Sequence, residues 1–363
     1  MKMLLLGDVC PTMDTAQYFK ANDIETLFGK ALSIFEGNDF TLVNLECALT
    51  ESENKIEKYG PALKAPAETA EVLKRIGVDC CGLSNNHVFD FGKKGIRDTV
   101  SALEKNGLIY TGFGDNYEDS RKNLILEHNG QKLAIITVCE HEYSYALENR
   151  MGSRPYDEYD TMEDIRNAKE TCDKVIVTYH GGKELCRYPS PRLRKLCRAM
   201  IKNGADVVLC QHSHCIGCYE NFMDGHILYG QGNFHFVKEH KFDGWSTSLA
   251  VKYDTETNEI TFSPLKNKVN GIDLPDAQEA DEIMKAFYAR NEELQNGEWI
   301  KGWKTFCQEM YQNYFDCVAM AFAPGSTPRQ DGKFSHYLDC EAHTDVWREI
   351  FPSLNLTNCI NEE

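Results

Sequence analysis

Apolar residues fall in short dense runs separated by amphipathic stretches, and the runs share an unusual way of ending. "MKMLLLGD" (1–8) and "FTLVNLE" (40–46) are apolar runs that stop at a carboxylate, as strands buried on both faces do. Between them Ile24, Leu27, Phe28, Leu32 and Phe35 recur at helical spacing, predicting a helix over 23–36. Helical spacing returns at 66–77, where Gly77 is the stop signal, and at 92–106. Strands are predicted at 78–87, running into polar residues, and at 108–112. "NLILEHNGQKLAIITVCE" (123–140) reads as a hairpin about Asn129-Gly130. "DKVIVTYH" (173–180) and "ADVVLCQHSH" (205–214) each follow a helical stretch, and 225–234 and 248–265 read as antiparallel strands. Beyond residue 270 the spacing predicts helices at 276–296 and 298–322, and the last forty residues read as irregular. Early strand–helix alternation followed by hairpins predicts a layered α/β fold with mixed sheets.

Composition narrows the class. The chain has 363 residues, enough for a sizeable core, with 42% hydrophobic and 26% charged residues. Its 39 basic and 56 acidic residues leave a net charge of −17, which argues against a nucleic-acid surface. A small anionic substrate stays compatible, because a bound cation supplies local positive charge. No apolar run reaches the roughly 20 residues of a membrane helix. The opening "MKMLLLGDVC" is too short in apolar residues for a leader, and the 15 cysteines form no short disulfide framework. A reducing, cytoplasmic setting is the expectation.

Candidate chemistry lies where the strands end. Asp8, Glu46, Asn86 with His87, His180, and His212 with His214 close five predicted strands. A single such residue reads as a turn or cap, and Asn86 alone suits a helix N-cap. Five together match the rule that sites gather at the carboxyl ends of strands in open α/β sheets. Carboxylates, an amide oxygen and imidazoles make a mixed nitrogen–oxygen ligand set for Mn, Fe or Zn. A carboxylate shared between flanking ligands suits a two-metal hydrolytic centre. In "CQHSHCIGCYE" (210–220), Cys215 and Cys218 lack a second C-x-x-C, so a zinc knuckle or redox pair explains less than two histidines feeding that centre.

These motifs carry a family likeness. "GDVCPT" (7–12), "NLECALT" (44–50), "LKAPAETAEVLKRIGVD" (63–79), "SNNHVFDFG" (84–92), "VIVTYHGGKE" (175–184), "GADVVLCQHSHCIGCYE" (204–220) and "ILYGQGNFHF" (227–236) resemble, in order, the poly-γ-glutamate capsule biosynthesis (CapA) family, which looks like a branch of the calcineurin-like metallophosphoesterases. The likeness covers about residues 1–240. It implies a four-layer α/β/β/α fold around two divalent ions: a catalytic domain at 1–265 and a helical extension at 266–363. By position it implies that Asp8 and His214 hold one ion, that Asn86, His180 and His212 hold the other, and that Glu46 bridges them. His87, supported by Asp90, then protonates the leaving group. The chain departs from the superfamily in having Cys10 where Asp-x-His places an imidazole, and Glu46 where an aspartate bridges. Gly181-Gly182 replace the aromatic that usually follows the fourth-strand histidine, which is expected to open the pocket.

Softer candidates for an anionic substrate are Lys64, His141, Arg187 and Arg192, each also readable as surface charge or strand-end packing. The aromatic spacing over 299–322 reads as helix packing, with Trp303 or Tyr311 as candidate cover for the site. The leading expectation is a metal-dependent hydrolase acting on a phosphoester. The alternatives are a protein handling a capsule-type anionic polymer, with peptide or glycan substrates, and a noncatalytic scaffold.

Overall fold

The computed structural model describes residues 1–140 and 142–351. Two sheets stack through the centre. The first runs Gly271–Asp273, Glu259–Lys268, Thr247–Asp254, Lys2–Val9, Phe40–Leu45, Cys80–Gly82, Ile109–Thr111, with Asn233–His235 added beside Lys2–Val9. The second runs Tyr219–Phe222, Gly225–Leu228, Val207–Gln211, Lys174–His180, Gln131–Cys139, Leu124–His128. Both are mixed: parallel in the middle, with hairpins at their edges.

Side-chain alternation along the strands generates the layers. Met3 and Leu5 join Leu42, Ile135, Ile176 and Leu209 in a core between the sheets. Leu4 and Leu6 point the other way, against Phe19, Leu73 and Leu103 of the flanking helices. On the far face of the second sheet, Ile136, Val177 and Val208 pack with Leu196, Trp303 and Tyr314. Three apolar interfaces between four layers give the α/β/β/α arrangement.

The hairpin at Asn129-Gly130 forms as expected, both residues taking the positive φ its tight turn requires (50° and 80°). Helices Ala277–Asn296 and Trp299–Ala321 also form where predicted. Three expectations are corrected. The helix over 23–36 breaks at Gly29, whose φ of 46° divides an α-turn, Ile24–Phe28, from a 3₁₀ segment, Gly29–Phe35. The stretch 225–234 is no simple antiparallel strand: Gly225–Leu228 pairs in parallel with Val207–Gln211, and Asn233–His235 crosses to the first sheet. The C-terminal stretch read as irregular holds helices Pro328–Asp339 and Glu341–Ile350. Thr327 and Gln330 form a reciprocal cap there, and Pro328 sits in the first turn where a missing N–H is tolerated. No helix among the described residues is long and apolar enough to cross a membrane.

Candidate metal centre

Every strand-end candidate comes to one edge of the stacked sheets. Asp8 closes Lys2–Val9, Glu46 follows Phe40–Leu45, Asn86 and His87 follow Cys80–Gly82, and His180 closes Lys174–His180. His212 and His214 follow Val207–Gln211. Register explains the meeting: Asp8 pairs with Asn44 on one sheet, and His180 pairs with Gln211 on the other.

The residues interlock. Asn44 donates to Asp8 Oδ1 at 2.7 Å and lies 3.1 Å from His180 Nδ1. The His212 backbone N–H donates to Asp8 Oδ2 at 3.1 Å. His180 Nε2 is 2.9 Å from Asn86 Oδ1 and 3.3 Å from Glu46 Oε1. His214 Nδ1 meets Asn233 Oδ1 at 2.8 Å and lies 3.7 Å from Asp8 Oδ2. His212 and His214 both hold positive φ (79° and 55°), a backbone state that costs of order 1–3 kcal/mol and persists where surroundings enforce it.

Glu46 tests whether a cation fits. It is fully buried, yet neither carboxylate oxygen accepts a hydrogen bond among the described residues. A buried carboxylate that accepts no hydrogen bond is costly unless a cation meets it. Ligand atoms of Asp8, Glu46 and His180 lie within 4.8 Å of one another, as do those of Glu46, His212 and His214. Glu46 is thus common to two potential three-ligand groups. Burial, with Glu46 beside it, raises the Asp8 carboxyl to about 6. Burial also raises Glu46 and lowers His180 to about 4, so the imidazole is neutral and its lone pair available. The donor set fits divalent transition ions.

His87 stands to one side. Its Nδ1 contacts Asp90 Oδ2 at 2.6 Å, and Lys58 forms a short ion pair with Asp90 Oδ1. The Leu63 N–H also donates to Asp90 at 2.7 Å, fixing that carboxylate. Burial, and next the Lys58 charge, lowers the His87 pKa against the pull of Asp90.

The other candidates lie elsewhere. Lys64 lines a cavity beside His87 but pairs with Glu53. Arg187 pairs with Asp243 at 2.7 Å, and Arg192 is held by Glu140 (3.0 Å) and Asp345 (2.9 Å). His141 lies outside the described residues. Cys10 belongs to neither ligand group; its buried thiol hydrogen-bonds with Cys47, which together with burial pushes its pKa well up. Cys215 and Cys218 are buried free thiols. Gly182 lines a small cavity beside Asn86 and His212, whereas Gly181 is packed over. A Cβ on Gly181 would stand 2.4 Å from Glu140 Cγ, so the glycine admits Glu140, which accepts from the Gly182 N–H. Trp303 is buried in the helical layer.

Sequence reasoning missed Asn44, Lys58, Glu184 and Asn233. Asn44 sits two residues before Glu46 on the same strand face, a signal the alternation carried. Glu184 lies in the quoted "HGGKE", and its Oε1 is 3.8 Å from His212 Nε2. Lys58 comes from an irregular segment, 51–63, with no periodicity to flag it.

Residues 2–238 match the model of a family described as bacterial capsule synthesis protein PGA_cap. The capsule biosynthesis protein CapA of Bacillus anthracis is 28% identical over 269 residues, covering 70% of this chain and 64% of that protein. The PGA biosynthesis protein CapA of Bacillus subtilis is 28% identical over 260 residues, covering 70% and 67%. A probable polyglutamine synthesis accessory protein of Mycobacterium tuberculosis is 24% identical over 278 residues, covering 70% and 73%. The match to the Bacillus anthracis protein therefore spans less than two thirds of its length. Among solved structures, a hypothetical protein from Thermus thermophilus superposes with a TM-score of 0.43 at 16% identity, covering 73% of this chain and 98% of that one. A 5'-nucleotidase from Candida albicans gives 0.41 at 9%, covering 79% and 57%. With a family model spanning most of both sheets, the chain belongs to the bacterial capsule synthesis protein family.

Proposed function

We propose that the chain is a metal-dependent hydrolase with a two-cation centre, acting on a phosphoester. The observation that carries this reading is Glu46, buried and without a hydrogen-bond partner among the described residues, shared by two ligand groups. In this reading Glu46 would serve both cations, with Asp8 and His180 grouped beside it on one side and His212 and His214 on the other, a pairing that differs from the one the resemblance implies, and with Asn86 next to His180. Bound there, Mn, Fe or Zn would polarise phosphoryl oxygens and make water a nucleophile at neutral pH. Asn44 orients Asp8 through its hydrogen bond, and Asn233 orients the His214 ring. His87 donates a proton from Nε2 to the leaving oxygen, while Asp90 on Nδ1 fixes its tautomer and steadies the cationic form. Lys58 neutralises Asp90 and holds it in place.

A second reading draws on the relatives, whose names tie them to capsule and polyglutamate synthesis. Here the same centre handles an anionic peptide-like or glycan-linked polymer. One experiment separates the two: the metal-reconstituted protein is assayed on phosphomonoesters, phosphodiesters, nucleotides and γ-glutamyl peptides. Turnover of a phosphoester, lost in Asp8→Ala together with metal content, supports the first reading. Turnover of γ-glutamyl compounds alone supports the second. No turnover with any metal leaves a binding role and sinks the hydrolase.

A further inference from the structure

One stretch of chain stands between the ligand cluster and the C-terminal helices. Residues 51–63 carry no regular structure and run from the short strand Ala48–Leu49 to its partner Lys64–Ala65. On its inner side this strap is fastened to the turn that bears His87. The Ile56 N–H donates to the Asp90 carbonyl at 2.9 Å, and the Leu63 N–H donates to the Asp90 carboxylate at 2.7 Å. Between them Lys58, only 5% exposed, donates to the Asn86 carbonyl at 3.2 Å and pairs with Asp90. Its Nζ also lies 3.2 Å from His87 Nδ1. Asp90 in turn holds the His87 ring, so the aim of His87 depends on where the strap stands.

Ile56 and Leu63 pack on the core of the first sheet, but the middle of the strap stands clear of it. Cavities of about 570 Å³ and about 640 Å³ flank it there, and Lys58, Tyr59 and Gly60 line both. A segment with open space on two sides and few packed neighbours belongs to the low end of local stability. Its outer fastening is aromatic. The Tyr59 N–H donates to Tyr143 Oη at 3.2 Å. The His336 ring packs against both tyrosines, 5.7 Å from Tyr143 and near-parallel to it (27°), and 5.8 Å from Tyr59. Tyr337 meets Tyr59 edge-on at 6.3 Å. His336 and Tyr337 belong to helix Pro328–Asp339, which the outer layer anchors. Tyr337 stacks on His343 at 3.9 Å, and the Trp347 indole donates to the Tyr337 carbonyl at 2.9 Å.

We infer that His336 is a positioning residue for His87: its ring wedges the strap, the strap carries Lys58, and Lys58 holds Asp90 against His87. This rests on the hydrolase reading above. Without the wedge the strap is free to move into either cavity and draw Lys58 from Asp90. A buried carboxylate that loses its cationic partner does not keep its place cheaply. A proton donor displaced by about 1 Å costs up to roughly 10²-fold in rate. His336 lies beyond residue 238, so this fastening comes from a part of the chain that the family match does not reach.

Kinetics and hydrogen exchange on the metal-reconstituted full chain test this. His336→Ala should lower kcat on an alkyl phosphate about 10- to 100-fold but on nitrophenyl phosphate by less than about threefold, with KM and metal content held. His336→Phe keeps a flat ring and should recover most of the loss. No recovery would mean that the imidazole acts directly, which overturns the wedge. In a His87→Ala background, His336→Ala should add no further loss on the alkyl phosphate; losses that multiply overturn the route through His87. Exchange needs no turnover: the Tyr59 and Leu63 amides should exchange about tenfold faster in His336→Ala and slow again in His336→Phe. Unchanged exchange in an active chain overturns the wedge alone. If the unaltered chain turns over no phosphoester, the hydrolase reading fails first and takes this inference with it.

Discussion

Burial drives Asp8 and His180 in opposite directions, and the result is measurable. The carboxyl of Asp8 is raised from 3.8 to about 6, so its protonation favours the folded state. That contribution is complete below about pH 4 and is lost as pH rises through 6. His180 is lowered from 6.5 to about 4. Its contribution is present above 6.5 and lost as pH falls, because the unfolded imidazole takes a proton first. In metal-free protein the two offset each other between pH 4 and 6.5. His180→Asn removes one side of the balance. Urea denaturation in excess chelator should show the variant gaining about 2 kcal/mol relative to the unaltered chain between pH 7 and 5. An equal pH response in both would mean His180 is not held neutral. His87→Ala is expected to keep the metal content while kcat on the phosphoester falls about 10²–10⁴-fold. The loss should shrink for nitrophenyl leaving groups, which need little protonation. A fall in metal content, or equal loss on every substrate, would make His87 structural. At this scale the sequence showed which residue types could ligate, because they interrupt apolar runs. It did not show Lys58, which reaches Asp90 from a segment without periodicity.

Strands place the chemistry, and small residues let them close. A Cβ on Gly7 would stand 2.0 Å from the Gly232 carbonyl oxygen, because Asn233–His235 lies against Lys2–Val9 at that point. Gly7→Ala should therefore separate two backbones and move Asp8. The expected cost is of order 1–3 kcal/mol in urea denaturation, with metal content falling in elemental analysis. Unchanged metal content would show that Asp8 tolerates the shift. Strand ends were legible because alternation and buried runs are local signals. The two C-terminal helices were not, because tertiary contacts carry them: Tyr337 packs on Tyr314 at 4.8 Å, and Val346 is buried in the helical layer. Nor could periodicity reveal that 225–234 changes sheets, since both of its strands are buried alike.

For the whole molecule, the C-terminal helices complete the outer layer of the second sheet. Trp299, Trp303, Tyr314 and Val346 are buried there, each contributing about 1.5–3 kcal/mol by removal from water. Together they rival the entire 5–15 kcal/mol stability of an ordinary domain. A chain ending at Asp273 should aggregate or unfold without cooperativity when followed by circular dichroism and light scattering. A soluble, equally stable fragment would make residues 277–351 a separate module. The boundary near 265 stays a proposal; the first sheet continues past it through Glu259–Lys268 and Gly271–Asp273.

The hydrogen bond from His212 to Asp8 spans 204 residues of chain. At about 5–20 residues per second of synthesis, Asp8 waits roughly 10–40 s for that partner to be made. The strand Thr247–Asp254, which flanks Lys2–Val9, is made later still. For most of that interval the apolar run Met3–Leu6 has only Phe40–Leu45 to pair with, and His180, which groups with Asp8 and Glu46, is not yet made. A cation captured early would find two carboxylates and water, a weak and unselective site. Under the proposed reading, the full ligand set exists only once residue 214 has been made.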